Sequence, residues 1–287
     1  MRALITGGGG QLASDLQTLL GDDAVSFTHA ELDIDDPGSV ERAFGQVEPD
    51  VVFNCAAFHN VEQCEAEADQ AWVTNVRAVA DLARRGAKLV HLSTNYVFDG
   101  RREEPYGEDD APSPRSMYSL TKLAGEYAAL AYAAEGNALV VRSGGLYGFA
   151  GNASKGGNFV QRMIGRAKET GQVRMVADQR LQPTFTEDLA KALVDAVERD
   201  ATGVVHLTNE GAMSWYDFTV AIMENAGIDV PIEPGETVVP PGGVDRPLNG
   251  VLARPRADAL GLPKLRPVGD ALQDYMSRAG LSAGATA

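Results

Sequence analysis

Cysteine is scarce in this chain: Cys55 and Cys64 are the only two. Their spacing matches no metal-ligand or disulfide framework, so both read as reduced thiols packed as small side chains, and no metal site is expected. Long hydrophobic runs are missing as well. No window approaches the roughly 18 apolar residues of a membrane span. The opening residues, MRALITGGGG, lead into a strand and a glycine loop without a signal-peptide cleavage pattern. The expectation is a cytoplasmic protein with no membrane contact. Basic residues are also in short supply: 25 Lys and Arg against 40 Asp and Glu leave a formal net charge of -15. The summed field repels a phosphate backbone, which argues against nucleic-acid binding. An anionic ligand would need local help, from helix N-termini or from single cations such as Arg162, Arg166, Arg174, Arg180 and Arg246.

What is present is enough apolar material for a full core, 44% of 287 residues. Short β-branched runs alternate with longer helical patterns: RALIT, a helix after Gly10, AVSFT, a helix from Pro37, DVVFNC, a helix around residues 67 to 85, KLVHLS, the helical YSLTKLAGEYAALAYAAE, and ALVVRS at 138 to 143. That alternation predicts a parallel sheet. Beyond Gly148 the pattern loosens through FAGNASKGGN, a helix ending near Gly171, the strand QVRMVA and the helical EDLAKALVDAVERD. VVHL at 204 to 207 is expected to return to the sheet. WYDFTVAIMENAG reads as a helix of a smaller lobe, PIEPGETVVPPGGVDRP as a loop, and the tail SAGATA as frayed.

Three short stretches carry chemistry. RALIT delivers Thr6 into a turn where Gly7, Gly10 and Ala13 fall at the spacing GxxGxxA, followed by the helical QLASDLQTLL. Glycine permits the tight turn and lets backbone N–H groups approach a pyrophosphate, which then sits at the positive end of a helix. The second strand ends Ser26, Phe27, Thr28, His29, with Glu31 and Asp33 only afterwards. Neither an acid for an adenine ribose nor an arginine for a 2'-phosphate stands at its tip, so the choice between NAD and NADP stays open. Asp33 and Ile34 are candidates to flank the adenine.

The second stretch is YSLTK, in which Tyr118 and Lys122 are four apart and share one helix face. An ammonium there is expected to lower the phenol's pKa and make it a usable general acid. The third is STNYVFDG at residues 93 to 100. In an open parallel sheet the strand's carboxyl end faces the ligand crevice, where the Ser93 and Thr94 hydroxyls and the Asn95 amide can hold a substrate oxygen. The fold class expected is therefore α/β: a Rossmann-type doubly wound parallel sheet with a smaller C-terminal substrate-binding lobe. Residues 1–150 form the dinucleotide-binding domain, some later segments return to it, and 151–287 are mainly the lobe.

TGxxGQL, NCAA after the third strand, Asn75, LSTNYVFDG, YSLTKLAGE and RSGGLYG together resemble the extended short-chain dehydrogenase/reductase superfamily. More narrowly, VFDG, GNFV, DQRLQPT and RPLNGVL resemble its dTDP-4-dehydrorhamnose reductase branch, and the likeness runs from residue 1 to about 255. The resemblance implies hydride transfer from NADPH, with NADH as the alternative, to C4 of a nucleotide-activated 4-keto-6-deoxy sugar. It implies that Tyr118 protonates the new alkoxide, that Lys122 holds the nicotinamide ribose and tunes Tyr118, and that Thr94 hydrogen-bonds the carbonyl oxygen. Gly7, Gly10, Gln11 and Leu12 would bind the cofactor phosphates, Asp33 and Ile34 the adenine end, and Ala56 and Ala57 would line the cofactor strand.

A nucleotide-sugar substrate is the expected partner, with Asn95, Gly145, Arg180 and Arg246 on its side of the site and a homodimer left open. The chain departs from the branch at Asn95, where STDYVF is usual; at Gly145, where tryptophan is usual; and at Leu181, where glycine is common. A roomier and less negative hexose pocket is the expectation. Other nucleotide-sugar epimerases or dehydratases, and a noncatalytic NADP-binding subunit like that of methionine adenosyltransferase, share the same framework.

Overall fold

The computed structural model describes residues 1–150 and 157–284. Part of the FAGNASKGGN stretch, residues 151–156, and the last three residues of the tail lie outside the described residues. In chain order the first half runs β1 (Ala3–Thr6), α1 (Gln11–Leu20), β2 (Ala24–Phe27), α2 (Pro37–Val47), β3 (Val51–Asn54), α3 (Val61–Ala66), α4 (Ala68–Trp72), a π-helical turn (Val73–Arg77), α5 (Ala78–Ala83), β4 (Lys88–Thr94), α6 (Met117–Tyr132) and β5 (Ala138–Ser143). The second half runs β6 (Leu146–Tyr147), α7 (Phe159–Thr170), β7 (Val173–Val176), β8 (Arg180–Leu181), β9 (Thr184–Phe185), α8 (Thr186–Glu198), β10 (Gly203–His206), β11 (Met213–Ser214), α9 (Trp215–Ala226), β12 (Ile232–Gly235), α10 (Pro255–Ala259) and α11 (Val268–Arg278).

One six-stranded sheet in the order β10-β5-β4-β3-β1-β2 organises the molecule, with every neighbouring pair parallel. Because strand side chains alternate, each central strand feeds two cores. Ile5, Phe53, Val90 and Val141 face one side with Leu16, Leu189 and Leu193. Leu4, Val52, Leu89 and Val140 face the other with Val40, Val79 and Leu82. The first core includes α8 and, around α10, Ala257 and Leu262. With β10 in the sheet beside β5, these are the late segments that return to it. A third cluster, built from Tyr147, Ile164, Phe185, Phe218, Leu272 and Tyr275, is the core of the smaller lobe. No helix among the described residues is long and apolar enough to cross a membrane.

Two elements differ from the sequence reading. The helix expected over 67 to 85 forms as one continuous run through α4, a π-turn and α5, but the π-turn, which the sequence did not show, carries Asn75 into the interior. Ile232–Gly235, read as loop from its proline and glycine, is a strand paired in parallel with β7. The strand has Val173–Val176 as a partner, and tertiary pairing overrides weak local propensity.

Candidate active site

The carboxyl ends of β1, β3 and β4 open on one cleft of about 430 Å3, lined by Gly7, Gly10, Gln11, Leu12, Ala57, Ser93, Tyr118 and Lys122 among others. Such a crevice is where an open α/β sheet places its ligand. Its floor is the glycine turn. Gly7 has φ +74, and a Cβ there would stand 2.9 Å from the Ala56 nitrogen; one on Gly10 would stand 2.9 Å from the Gly7 oxygen. Thr6 Oγ1 accepts from the Ala56 N–H at 3.1 Å, which ties the end of β1 to the segment after β3. Helix α1 starts at Gly10 with no side-chain cap, so its first N–H groups keep their capacity for an anion. The Gln11 Oε1 atom is buried and has no partner. The donor-rich, side-chain-free start of α1 fits a dinucleotide pyrophosphate.

Asp33 and Ile34 lie past the end of β2 and are not among the residues lining this cleft. Asp33 Oδ1 accepts from the Asp35 N–H at 3.0 Å, and Ile34 is 5% exposed within the second core. The neighbouring acid, Glu31, is folded back to accept from both the N–H and the hydroxyl of Thr28 at 2.8 and 2.7 Å.

Helix α6 begins in a capping box, in which Ser116 and Ser119 satisfy each other's backbone N–H groups. That fixes Tyr118 in the first turn and Lys122 one turn on. The Tyr118 hydroxyl hydrogen-bonds Thr94, and its ring meets Tyr96 edge-on with centroids 6.0 Å apart. Lys122, 3% exposed, donates from Nζ to the Leu92 carbonyl at 2.6 Å. The expected lowering of the phenol's pKa does not occur: burial pushes Tyr118 up to about 12, although the Thr94 bond pulls the other way. The ammonium is turned toward Leu92, and its own burial, opposed by Glu126, brings Lys122 down to about 8. Tyr118 therefore stays protonated throughout the physiological range. It remains a stronger acid than a secondary alcohol, so proton donation to a sugar alkoxide runs downhill.

Several residues around this pair, Ser93 excepted, were not singled out as site residues by the sequence. The Thr6 hydroxyl donates to Asn54 Oδ1 at 2.7 Å, and Asn54 Nδ2 approaches His91 Nδ1 at 3.1 Å. His91 Nε2 lies 3.5 Å from Lys122 Nζ. Burial beside Lys122 holds His91 neutral by lowering its pKa well below the usual value. Asn75, on the π-turn, accepts from the Phe58 N–H at 2.9 Å and donates to Phe58 O and Thr121 Oγ1 at 3.0 and 3.1 Å. It braces the segment after β3 against α6. Ser93 gives its hydroxyl to Glu126, which also holds Arg142 through a buried ion pair at 2.7 Å. A histidine inside the apolar run KLVHL was the signal available for the first of these networks.

Arg180 and Arg246 line a second cleft of about 730 Å3 with Asp99, Arg101, Asp178 and Asn249, and it shares no lining residue with the cleft that holds Tyr118 and Lys122. Arg246 also pairs with Glu62 and bonds the Tyr96 hydroxyl. Asn95 is only 3% exposed and sits behind Thr94 rather than facing a cleft, with its amide donated to Gly250 O at 3.0 Å. Gly145 does not leave the expected open space. Its φ is +60, and a Cβ there would meet Leu181 Cδ1 at 2.8 Å and Pro183 Cα at 3.1 Å. Leu181 packs against Gly145 and occupies the space that a side chain there would enter. No group of three or more His, Cys, Asp or Glu side chains able to hold a metal ion occurs among the described residues.

A doubly wound sheet, a glycine turn at the start of α1 and a Tyr118–Lys122 pair beside Thr94 define an oxidoreductase of the extended short-chain dehydrogenase/reductase class. The family described as "RmlD substrate binding domain" matches residues 1–280, and the chain belongs to it. The chain is 35% identical over 282 residues to the spore coat polysaccharide biosynthesis protein SpsK of Bacillus subtilis, covering 96% of each. It is 37% identical to a probable dTDP-4,6-dihydroxy-2-methyloxan-3-one 4-ketoreductase of Streptomyces antibioticus, covering 96% of this chain and 94% of that one. Among solved structures, the dTDP-4-dehydrorhamnose reductase of Bacillus anthracis in complex with NADP superposes with a TM-score of 0.89 at 31% identity, covering 96% of this chain and 99% of that one.

Proposed function

We propose that this protein reduces the 4-keto group of a nucleotide-activated 6-deoxyhexose, as the dTDP-4-dehydrorhamnose reductases of its family do, using NADPH with NADH as the alternative. The observation that carries the reading is the Tyr118–Lys122 pair in the wall of the cleft that holds the glycine turn, with the Thr94 hydroxyl bonded to Tyr118. A ketone oxygen placed between the two hydroxyls receives two hydrogen bonds, and Tyr118 delivers its proton as the carbonyl becomes an alcohol. The nicotinamide dinucleotide, when bound, supplies the hydride for the carbonyl carbon. Gly7, Gly10, Gln11 and Leu12 would hold its pyrophosphate, Ala56 and Ala57 would line its path, and Lys122 would hold the nicotinamide ribose. Arg180 and Arg246 are assigned the diphosphate of the sugar nucleotide, matching fixed cations to an anion that an acidic protein would otherwise repel. A cytoplasmic location belongs to the same reading, and light scattering checks the homodimer.

The test is NAD(P)H oxidation against a panel of dTDP-4-keto-6-deoxy sugars differing at C2, C3 and C5. Tyr118→Phe should cut turnover roughly 100-fold to 10,000-fold with cofactor affinity nearly unchanged. Near-normal turnover in that variant removes Tyr118 from the mechanism. A wild-type chain that binds NADPH but reduces no sugar in the panel makes the noncatalytic subunit the better reading.

A further inference from the structure

Thr94 has one hydroxyl hydrogen to give. Its oxygen accepts from the Tyr96 N–H at 3.1 Å, and the hydrogen has two acceptors in reach, Asn95 Oδ1 at 3.3 Å and the Tyr118 oxygen, whose pKa the Thr94 bond lowers. The other end of the same carboxamide donates to Gly250 O at 3.0 Å. Gly250 belongs to the smaller lobe's side of the substrate cleft: its N–H donates to Arg180 O at 2.8 Å, and Asn249 beside it donates to Gly100 O at 3.0 Å. The amide is also clamped sterically. A Cβ on Gly144 would lie 2.7 Å from Asn95 Oδ1, and one on Gly250 would lie 2.2 Å from Asn95 Nδ2. The packing holds the amide in place, and the Gly250 carbonyl, which can only accept, turns Nδ2 toward itself and leaves Oδ1 toward Thr94.

We propose that Asn95 is a positioning residue: its carboxamide, anchored on Gly250 O, aims the Thr94 hydroxyl hydrogen and holds it weakly enough to be passed to a bound carbonyl. The inference rests on the ketone-reduction reading above. A neutral amide oxygen at 3.3 Å is a poor competitor for that hydrogen. A carboxylate in the same place would grip it with a charge-assisted bond and would set two oxygens against each other at Gly250. A protonated carboxylic acid, by contrast, reproduces the amide, with a carbonyl oxygen toward Thr94 and an O–H toward Gly250 O. The titratable groups around this position are the Tyr118 and Tyr96 phenols and, through Tyr96, Arg246 and Glu62. Gly144 and Gly250 bring none, and Arg180 enters by its backbone carbonyl.

The experiment compares Asn95→Asp with wild type between pH 5.5 and 8, by kcat on the best sugar of the panel and by thermal unfolding of the unliganded protein. Burial raises the pKa of the new carboxyl, so the stabilising acid form is present at low pH and is lost as pH rises through that value. The expected result is a kcat about 10-fold below wild type at pH 8, recovering toward wild type at pH 5.5, with the melting temperature deficit of the variant widening over the same interval. A kcat ratio that does not change with pH overturns the proposal, even if the stabilities diverge, because Asn95 then only fills space. Melting curves that stay parallel across the range overturn it without any substrate. A wild type that reduces no sugar defeats the ketone-reduction reading instead, and it leaves the melting curves to decide the opposed bonds of Asn95.

Discussion

Replacing Lys122 by methionine should make the unliganded protein more stable below pH 8 while abolishing turnover. The ammonium is 3% exposed, and burial brings its pKa from 10.5 to about 8. A displacement of that size corresponds to about 3 kcal/mol spent on keeping the charge inside. Methionine has nearly the same stem and carries no charge. It forfeits the 2.6 Å bond to Leu92 O, worth about 1.5 kcal/mol. The net gain is about 1.5 kcal/mol, or about 2–3 °C in melting temperature for a chain of this length. The sign reverses with pH. Below pH 8 both folded and unfolded chains carry the proton, and the wild type bears the whole cost. Between 8 and 10.5 the unfolded chain binds a proton the folded one has released, so wild-type stability climbs with pH. Above 10.5 only the lost hydrogen bond separates the two proteins, and the variant is the weaker. Melting curves of both proteins from pH 6 to 11 check this. A stability difference that does not vary with pH would refute the desolvated ammonium.

Gly10→Val should abolish NADPH binding in calorimetry, because its Cβ stands 2.9 Å from Gly7 O at the start of α1; undiminished binding would place the cofactor elsewhere. Gly145→Trp should cost about 1–3 kcal/mol by forcing a side chain at φ +60 into Leu181. Adding Leu181→Gly should recover part of that loss, and denaturant melts showing strictly additive effects would mean the two positions do not share one space.

The sheet was legible because its strands announce themselves twice, by composition and by the helices between them. Leu4 and Ile5 feed opposite cores, as alternation requires, and VVHL takes its place beside β5 although it arrives some sixty residues later. Tyr118, Lys122 and Thr94 were legible because a motif and a strand end coincide. Their electrostatics were not. Four-residue spacing puts Lys122 on the face of Tyr118, yet the direction of Nζ is decided by the Leu92 carbonyl and the His91 ring on a different element. Asn95 looked like a substrate contact because it follows Thr94, and only the approach of Gly250 from residue 250 shows its amide to be occupied. Gly145 and Leu181 were each read as a change in the pocket, whereas the two pack against one another. The IEPG strand was hidden because its pairing partner, β7, supplies the order that its own composition does not.

The sixth strand of the sheet comes from residues 203–206, after the chain has left the sheet to begin the smaller lobe with α7, β7, β8 and β9. On a ribosome, β5 emerges with its outer edge bare and must wait for about sixty more residues, several seconds at ordinary elongation rates. During that interval the outer face of α1 also lacks α8, whose Leu189 and Leu193 will cover the core over Leu16. The nascent first half is thus an open sheet with an exposed edge and an uncovered apolar face, the form most exposed to pairing with the wrong strand. A gene fragment ending near residue 150 would freeze the protein in that state. The two lobes are not beads on a string but a sheet laced shut by its own far end.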